Sequence, residues 1–174
     1  MSKDSGSVDL ITEPLGKHHD RAAFSSGAND LDRYLHKQAN QDARRHIAAP
    51  FVIRASGTYQ VIGYYTLSSA SVIMDELPEE TTRRLPRYPS VPAVLIGRLA
   101  IDSQHHGQGL GKRLLIDALR RCWEQDAQVA AALVLVDARD AIATRFYKHF
   151  GFQCLPDHTG RLFIPMQTVA SLFH

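Results

Sequence analysis

The run from Ala93 to Glu124 limits the fold of this chain more than any other segment. Ala93-Val94-Leu95-Ile96-Gly97-Arg98-Leu99-Ala100-Ile101 is almost continuously apolar, which predicts a central, buried strand. From Gly109 to Glu124, Leu110, Leu114, Leu115, Ala118, Leu119, Cys122 and Trp123 fall on one helical face, and Lys112, Arg113, Arg120 and Arg121 lie elsewhere. Between strand and helix stands Gln104-His105-His106-Gly107-Gln108-Gly109-Leu110-Gly111-Lys112. Strand, glycine-rich turn and helix, in that order, can bind phosphate through the main chain. Gly107, Gly109 and Gly111 carry no Cβ, so the backbone can approach an anion. The first N–H groups of the helix have no internal acceptors, and the helix dipole adds roughly half a positive charge there. Lys112 and Arg113 would add full charges at the rim. The spacing is not that of a Walker loop, because no Gly-Lys-Ser/Thr follows. Nor is it a dinucleotide fingerprint, because the strand ends too early and the third glycine is missing. Taken alone, Gly-x-Gly also suits an ordinary loop–helix junction.

The flanking sequence predicts an α/β layout around a mixed sheet. Val8 to Ile11 reads as a first strand, and Asn29 as the cap of a helix reaching about Arg45, with Leu31, Tyr34, Leu35 and Ala39 on one face. Phe51 to Arg54 and Val61 to Leu67 read as a hairpin turning at Ser56-Gly57-Thr58. Pro78 starts a short helix with Glu79-Glu80 at its positive end, and Pro86, Pro89 and Pro92 predict an extended loop. Ala131 to Val136 reads as a second buried strand and Ala141 to His149 as a helix closed by Gly151. Phe152 to Leu155 and Arg161 to Ile164 complete the sheet. A chain of 174 residues, 44% apolar, suits one domain over residues 1–174. Cys122 and Cys154 read as small apolar residues in a reducing compartment rather than a disulfide framework. Met1 to Asp9 lacks an apolar signal core, and no run approaches the roughly 18 apolar residues of a membrane span. A soluble, cytoplasmic protein with no membrane partner is expected. Net charge is only +2, so any polyanion binding must come from local clusters.

Gln104-x-x-Gly107-x-Gly109 resembles the Gln/Arg-x-x-Gly-x-Gly/Ala motif of the GNAT superfamily of N-acetyltransferases, and Arg98-Leu99-Ala100-Ile101-Asp102 resembles that family's fourth strand. Asp140-Ala141-Ile142-Ala143-Thr144-Arg145-Phe146-Tyr147, then His149-Phe150-Gly151-Phe152, is similar to its Asn-x-x-Ala-x-x-aromatic-Tyr-x-x-x-Gly-Phe segment. The resemblance implies a mostly antiparallel central sheet flanked by helices, and acetyl-CoA as co-substrate without a metal. It implies cofactor contacts from residues 104–112, from the strand backbone at Leu99, Ala100 and Ile101, and from Ala138, Thr144 and Phe146. Tyr147 is the implied general acid. A phenol can donate a proton to the thiolate expelled when an amine attacks a thioester. The family's Asn is Asp140 here, which accepts but does not donate when ionised, and this puts an amide-donor contact in doubt.

A narrower resemblance, to the tRNA-acetylating toxins of type II toxin–antitoxin systems, is carried by Phe24-Ser25-Ser26-Gly27-Ala28-Asn29-Asp30-Leu31-Asp32-Arg33-Tyr34-Leu35, by Gly63-Tyr64-Tyr65-Thr66-Leu67-Ser68, by Arg87-Tyr88-Pro89 and Gly97-Arg98-Leu99-Ala100, and by Arg161-Leu162-Phe163-Ile164-Pro165-Met166. It implies acetylation of the α-amino group of an aminoacyl-tRNA, a block on translation, a ribbon-helix-helix antitoxin as partner, and a homodimer. The clusters Arg83, Arg84, Arg87 and Arg44, Arg45 suit phosphate contacts, or equally solvated helix faces. Arg98 is either a tRNA contact or a buried arginine paired to an acid such as Asp137. No general-base glutamate stands out. An α-amine of pKa about 8 needs one less than a lysine does. His18-His19 and His105-His106 are adjacent pairs without the i, i+4 spacing of a helical zinc site, so no metal is expected. The alternatives are a GNAT enzyme acting on a small amine or protein N-terminus, and a non-catalytic acyl-CoA-binding regulator.

Overall fold

In the computed structural model, which describes residues 8–174, the apolar run at Ala93 becomes one strand of a seven-stranded sheet. The strands are β1 (Leu10–Pro14), β2 (Ala49–Ala55), β3 (Gly63–Ile73), β4 (Ser90–Ile101), β5 (Leu133–Asp137), β6 (Gln153–Cys154) and β7 (Arg161–Pro165). The helices are α1 (Asn29–Arg33), α2 (Ala39–Arg44), α3 (Glu79–Thr82), α4 (Leu110–Gln125), α5 (Ala141–His149) and α6 (Met166–Ser171). Sheet order is β1-β2-β3-β4-β5-β7-β6. β1 with β2, β5 with β7 and β6 with β7 are antiparallel. β4 and β5 are parallel, as two strands joined by the crossover helix α4 must be. The α/β layout with a mixed, mostly antiparallel sheet is therefore as the sequence predicts. No helix among the described residues is long and apolar enough to cross a membrane.

The chain divides into two compact units. The first comprises residues through Tyr65 together with Leu99–Leu114. Its core is Phe24, Tyr34, Leu35, Ala39, Val52, Val61, Tyr64 and Ala100. Tyr64 lies 6.2 Å from the Tyr34 ring and donates its hydroxyl to the Leu31 carbonyl at 2.6 Å. Gly63 is dictated by packing, since a Cβ there would lie 2.6 Å from Ile101 Cδ1 and 2.9 Å from Ile53 Cγ2. The expected helix from Asn29 to about Arg45 is present but interrupted by a π-helical turn at Tyr34–Gln38. Arg21 donates to the Leu35 carbonyl within that turn at 3.0 Å. Asn29 is not the cap. Ala28 precedes the helix, and the carboxylate of Asp32 reaches back to accept from the N–H and hydroxyl of Ser26 at 2.9 and 2.6 Å.

In β1, Glu13 accepts from Arg54 at 2.5 Å and from His19 at 2.8 Å. These donors hold its carboxyl down at about 2, well below the ordinary 4.5. A group with a depressed folded pKa stabilises fully above its unfolded value and loses that contribution as pH falls through the folded one. Glu13→Gln is therefore expected to lower the urea midpoint at pH 7, with the deficit shrinking between pH 4.5 and about 2. Parallel urea titrations at pH 7 and pH 3 check this, and equal deficits at both would contradict it.

The second unit comprises Thr66–Arg98 and Leu115–His174. Val72, Leu77, Val91, Ala93, Leu133, Leu135, Leu155 and Phe163 form its core. Leu133, Val134, Leu135 and Val136 are all fully buried, which accounts for their unbroken apolar run. The predicted loop through Pro92 is shorter than expected, because β4 already starts at Ser90. β3 extends past the expected Leu67 to Ile73. α6, which follows Pro165, has too short a pattern to show in the sequence.

Candidate active site

In the first unit the phosphate-loop candidate has three fixed points. Asp102, 6% exposed, ends the strand. Its Oδ1 accepts from Gln104 N at 3.0 Å, capping a 3-10 turn at Ser103–His105, and its Oδ2 accepts from Ser25 N at 3.0 Å. Ser103 N returns a bond to the Ser25 carbonyl at 2.8 Å, and Asp102 N donates to the Ile62 carbonyl at 2.9 Å. His106 Nε2 lies 2.8 Å from the Ile101 carbonyl. One buried carboxylate and one imidazole thus pin the path between strand and glycines. Asp102 was missed from the sequence. The available signal was a short acceptor side chain at a strand end ahead of a polar turn.

Gly107 and Gly109 have φ of +78° and +74°, the left-handed region glycine adopts without penalty. A Cβ at either would meet nothing within 4 Å, so both glycines border open space into which a diphosphate could fit. Gly111 differs. It sits in the first turn of α4, outside the left-handed region. The helical pattern starts with Arg113 N donating to the Gly109 carbonyl at 3.2 Å. The N–H groups of Leu110, Gly111 and Lys112 are therefore the orphan donors of the helix start. Gln104, Gln108 and Lys112 are exposed. Arg113 is exposed, and its guanidinium lies 3.5 Å from the Leu10 carbonyl. His105 Nδ1 is a buried nitrogen without a hydrogen bond, 3.8 Å from Asp102 Oδ1. The side chains of Ala100 and Ile101 are buried and Leu99 is half-buried, so these residues offer a ligand mainly backbone.

In the second unit, pairing between β4 and β5 stops at Ile96–Val136, although β4 continues. α5 has the predicted bounds. Asp140 caps it by accepting from Ala143 N at 2.8 Å, a task for which an acceptor suffices and Asp serves as well as Asn. Thr144 Oγ1 donates to the Asp140 carbonyl at 3.0 Å, so its proton is committed within the helix. Ala138 N donates to the Gly160 carbonyl at 2.6 Å. Tyr147 is 5% exposed, edge-on to Phe146 at 5.2 Å and Phe152 at 5.5 Å. Burial, helped by the charge of Asp137, pushes its phenol up to about 12. The group therefore keeps its proton throughout the neutral range. Among the described residues no protein group serves as a hydrogen-bond partner of its hydroxyl.

The arginines separate by environment. Asp137 is held by Arg161 through contacts of 2.8 and 3.1 Å, a pairing the sequence did not reveal. Arg98 is half-buried in β4. Arg83 pairs with Glu79 at 3.0 Å on the exposed face of α3. Arg84 and Arg87 are exposed and in no ion pair among the described residues. Arg44 and Arg45 are exposed at the end of α2, where cations also suit the helix dipole. His18 and His19 converge with Glu13, with ligand atoms within 4.8 Å of one another, a grouping their sequence spacing conceals. His19 Nδ1 accepts from Gly16 N at 2.8 Å, so Nε2 carries the proton it shares with Glu13, and a cation there would have to displace both bonds.

Residues 16–152 match the Acetyltransferase (GNAT) family. The chain is 33% identical to the probable toxin TacT of Sinorhizobium fredii, over 97% of its own length and 98% of the relative's. It is 35% identical to a tRNA-acetylating toxin of Mycobacterium tuberculosis, over 88% and 90% of the two chains. Among solved structures it resembles AtaT complexed with acetyl-methionyl-tRNAfMet, with a TM-score of 0.87, 30% identity, and coverage of 95% of this chain and 100% of that one. A tyrosine-to-phenylalanine mutant of AtaT, bound to the C-terminus of the antitoxin AtaR and acetyl-CoA, superposes with a TM-score of 0.80 at 27% identity, over 95% and 98% of the chains. With the family's pattern running from residue 16 to residue 152 and a relative matched almost end to end, the chain belongs to the GNAT family of acetyltransferases.

Proposed function

We propose that this protein is a toxin that transfers acetyl from acetyl-CoA to the α-amino group of an aminoacyl-tRNA and so blocks translation. The observation that carries the reading is the loop of Gly107 and Gly109, both left-handed and facing open space, ahead of the orphan N–H groups of α4. The relatives, which include toxins named for acetylating tRNA, supply the acceptor. The match of one family through residues of both units supports treating 1–174 as a single acetyltransferase domain.

In this reading, residues 104–112 would hold the diphosphate, and the backbone at Leu99, Ala100 and Ile101 the pantetheine arm, with further contacts from Ala138, Thr144 and Phe146. Acetyl-CoA would supply an acetyl thioester, whose sulfur leaves as a thiolate. Tyr147 meets that charge with its hydroxyl. Arg83, Arg84, Arg87, Arg98, Arg44 and Arg45 are the proposed tRNA contacts, and Arg84 and Arg87 are the best placed, being exposed and without ion pairs. A ribbon-helix-helix antitoxin, a homodimer and a cytoplasmic site of action complete the proposal. No metal is needed for it.

Mass spectrometry of bulk charged tRNA, after incubation with the protein and isotopically labelled acetyl-CoA, tests the reaction. N-acetylated aminoacyl-adenosine is the expected product, and its absence, with the label retained on CoA, would overturn the assignment. The pH dependence is a separate prediction. Because Tyr147 stays protonated to about 12, single-turnover rates should rise as the acceptor amine deprotonates, pass half-maximum at pH ~8 and level off at pH ~9, with no fall before that. A descending limb below pH 9 would count against a phenol in this state.

A further inference from the structure

The proline-rich segment between β3 and β4 contains a hollow of about 580 Å³ that phosphate contacts alone do not account for. Tyr88 and Ile73 both line it and are 63% and 56% exposed, so two large apolar groups meet solvent at one hollow. Their positions are set by backbone. Tyr88 stands between Pro86 and Pro89, its N–H donates to the Pro86 carbonyl at 2.9 Å, and Met74 N donates to the Pro89 carbonyl at 2.9 Å. A ring presented so rigidly loses little freedom when something stacks on it.

The charges around the ring are mixed. Arg87 lines the hollow without an ion pair among the described residues, while Arg83 and Glu79, paired at 3.0 Å, and Asp75 stand on the same rim. Two arginines and two acids leave the rim without net positive charge, which makes it a poor groove for a duplex backbone despite its unpaired Arg87, and the acids keep free lone pairs as carboxylates. They do accept hydrogen bonds from the amino groups of a base edge. One aromatic face, one unengaged guanidinium and nearby carboxylates match a single splayed-out nucleotide, the form in which RNA bases become available to proteins.

Building on the acceptor proposed above, we infer that this hollow takes one unpaired nucleotide of the charged tRNA, with its base stacked on Tyr88 and Ile73 and its phosphate met by Arg87. The test measures tRNA binding to the full-length protein by fluorescence anisotropy across a salt series, alongside acetylation of charged tRNA by the wild type. Tyr88→Ala should weaken tRNA binding about 10-fold at fixed salt, with the salt slope unchanged. Tyr88→Phe should bind as wild type, since stacking needs the ring and not the hydroxyl. Arg87→Ala should weaken binding and flatten the log–log salt slope by about 0.7, the share of one single-strand phosphate. Unchanged affinity in Tyr88→Ala, or equal losses in Tyr88→Ala and Tyr88→Phe, overturns the stacking site while leaving acetylation by the wild type intact. A wild type that neither binds nor acetylates charged tRNA instead brings down the acceptor reading, and this inference with it.

Discussion

Tyr147→Phe is expected to lower kcat for acetyl transfer about 100-fold, with little change in the KM for acetyl-CoA. The substitution removes one oxygen and leaves the ring between Phe146 and Phe152. The hydroxyl makes no hydrogen bond among the described residues, so its loss orphans no partner and the melting temperature should hold. The size of the effect follows from the acidities. A phenol at about 12 lies above an ordinary thiol at about 8.5, so complete proton transfer to a thiolate is uphill. In the proposed role the group would supply a hydrogen bond to charge appearing on sulfur. A thiolate is already a fair leaving group, which puts the loss at the low end of the range for acid catalysis. Initial rates against acetyl-CoA concentration, for wild type and variant, decide it. An unchanged kcat would remove Tyr147 from the reaction.

Asp102→Ala should produce the largest loss of stability, about 2–4 kcal/mol, and raise the KM for acetyl-CoA about 10-fold. The carboxylate serves two backbone donors far apart in sequence, Gln104 N and Ser25 N. Removing it leaves both without their charged acceptor at a partly buried strand end, where water reaches the exposed Ser25 and Gln104 only in part and each lost bond costs about 1–2 kcal/mol. The 3-10 turn then loses its cap, and the segment carrying Gly107 and Gly109 must be ordered at the moment of binding. Asp102→Asn retains an acceptor oxygen and should fall between wild type and Ala on both measures. Urea denaturation and steady-state kinetics on the three proteins check this. An Ala variant with wild-type KM would reduce Asp102 to a purely structural role.

The parts legible from sequence were those in which periodicity and local chemistry agree. The run around Ala93, the face Leu110–Leu114–Leu115–Ala118 and the segment from Asp140 to Gly151 each carry one dominant signal, and α5 falls on the expected residues. The two left-handed glycines were recognisable because Gly-x-Gly stands between a buried strand and an amphipathic helix, although the pair alone would also suit an ordinary junction. What stayed hidden depends on contacts between distant residues. Asp32 rather than Asn29 secures the first helix because Ser26 folds back onto it. In the π-turn at Tyr34–Gln38 the carbonyl of Leu35 is met by Arg21, fourteen positions before it in the chain. The grouping of Glu13 with His18 and His19, and of Asp137 with Arg161, likewise has no local spacing rule behind it.

The sheet order has a consequence for biosynthesis. β7 lies between β5 and β6, so the seventh strand in chain order fills an interior position of the sheet. Until residues 161–165 leave the ribosome, β5 keeps a bare hydrogen-bonding edge and β6 has nothing to pair with. A nascent chain interrupted before Arg161 cannot close the unit that carries Tyr147.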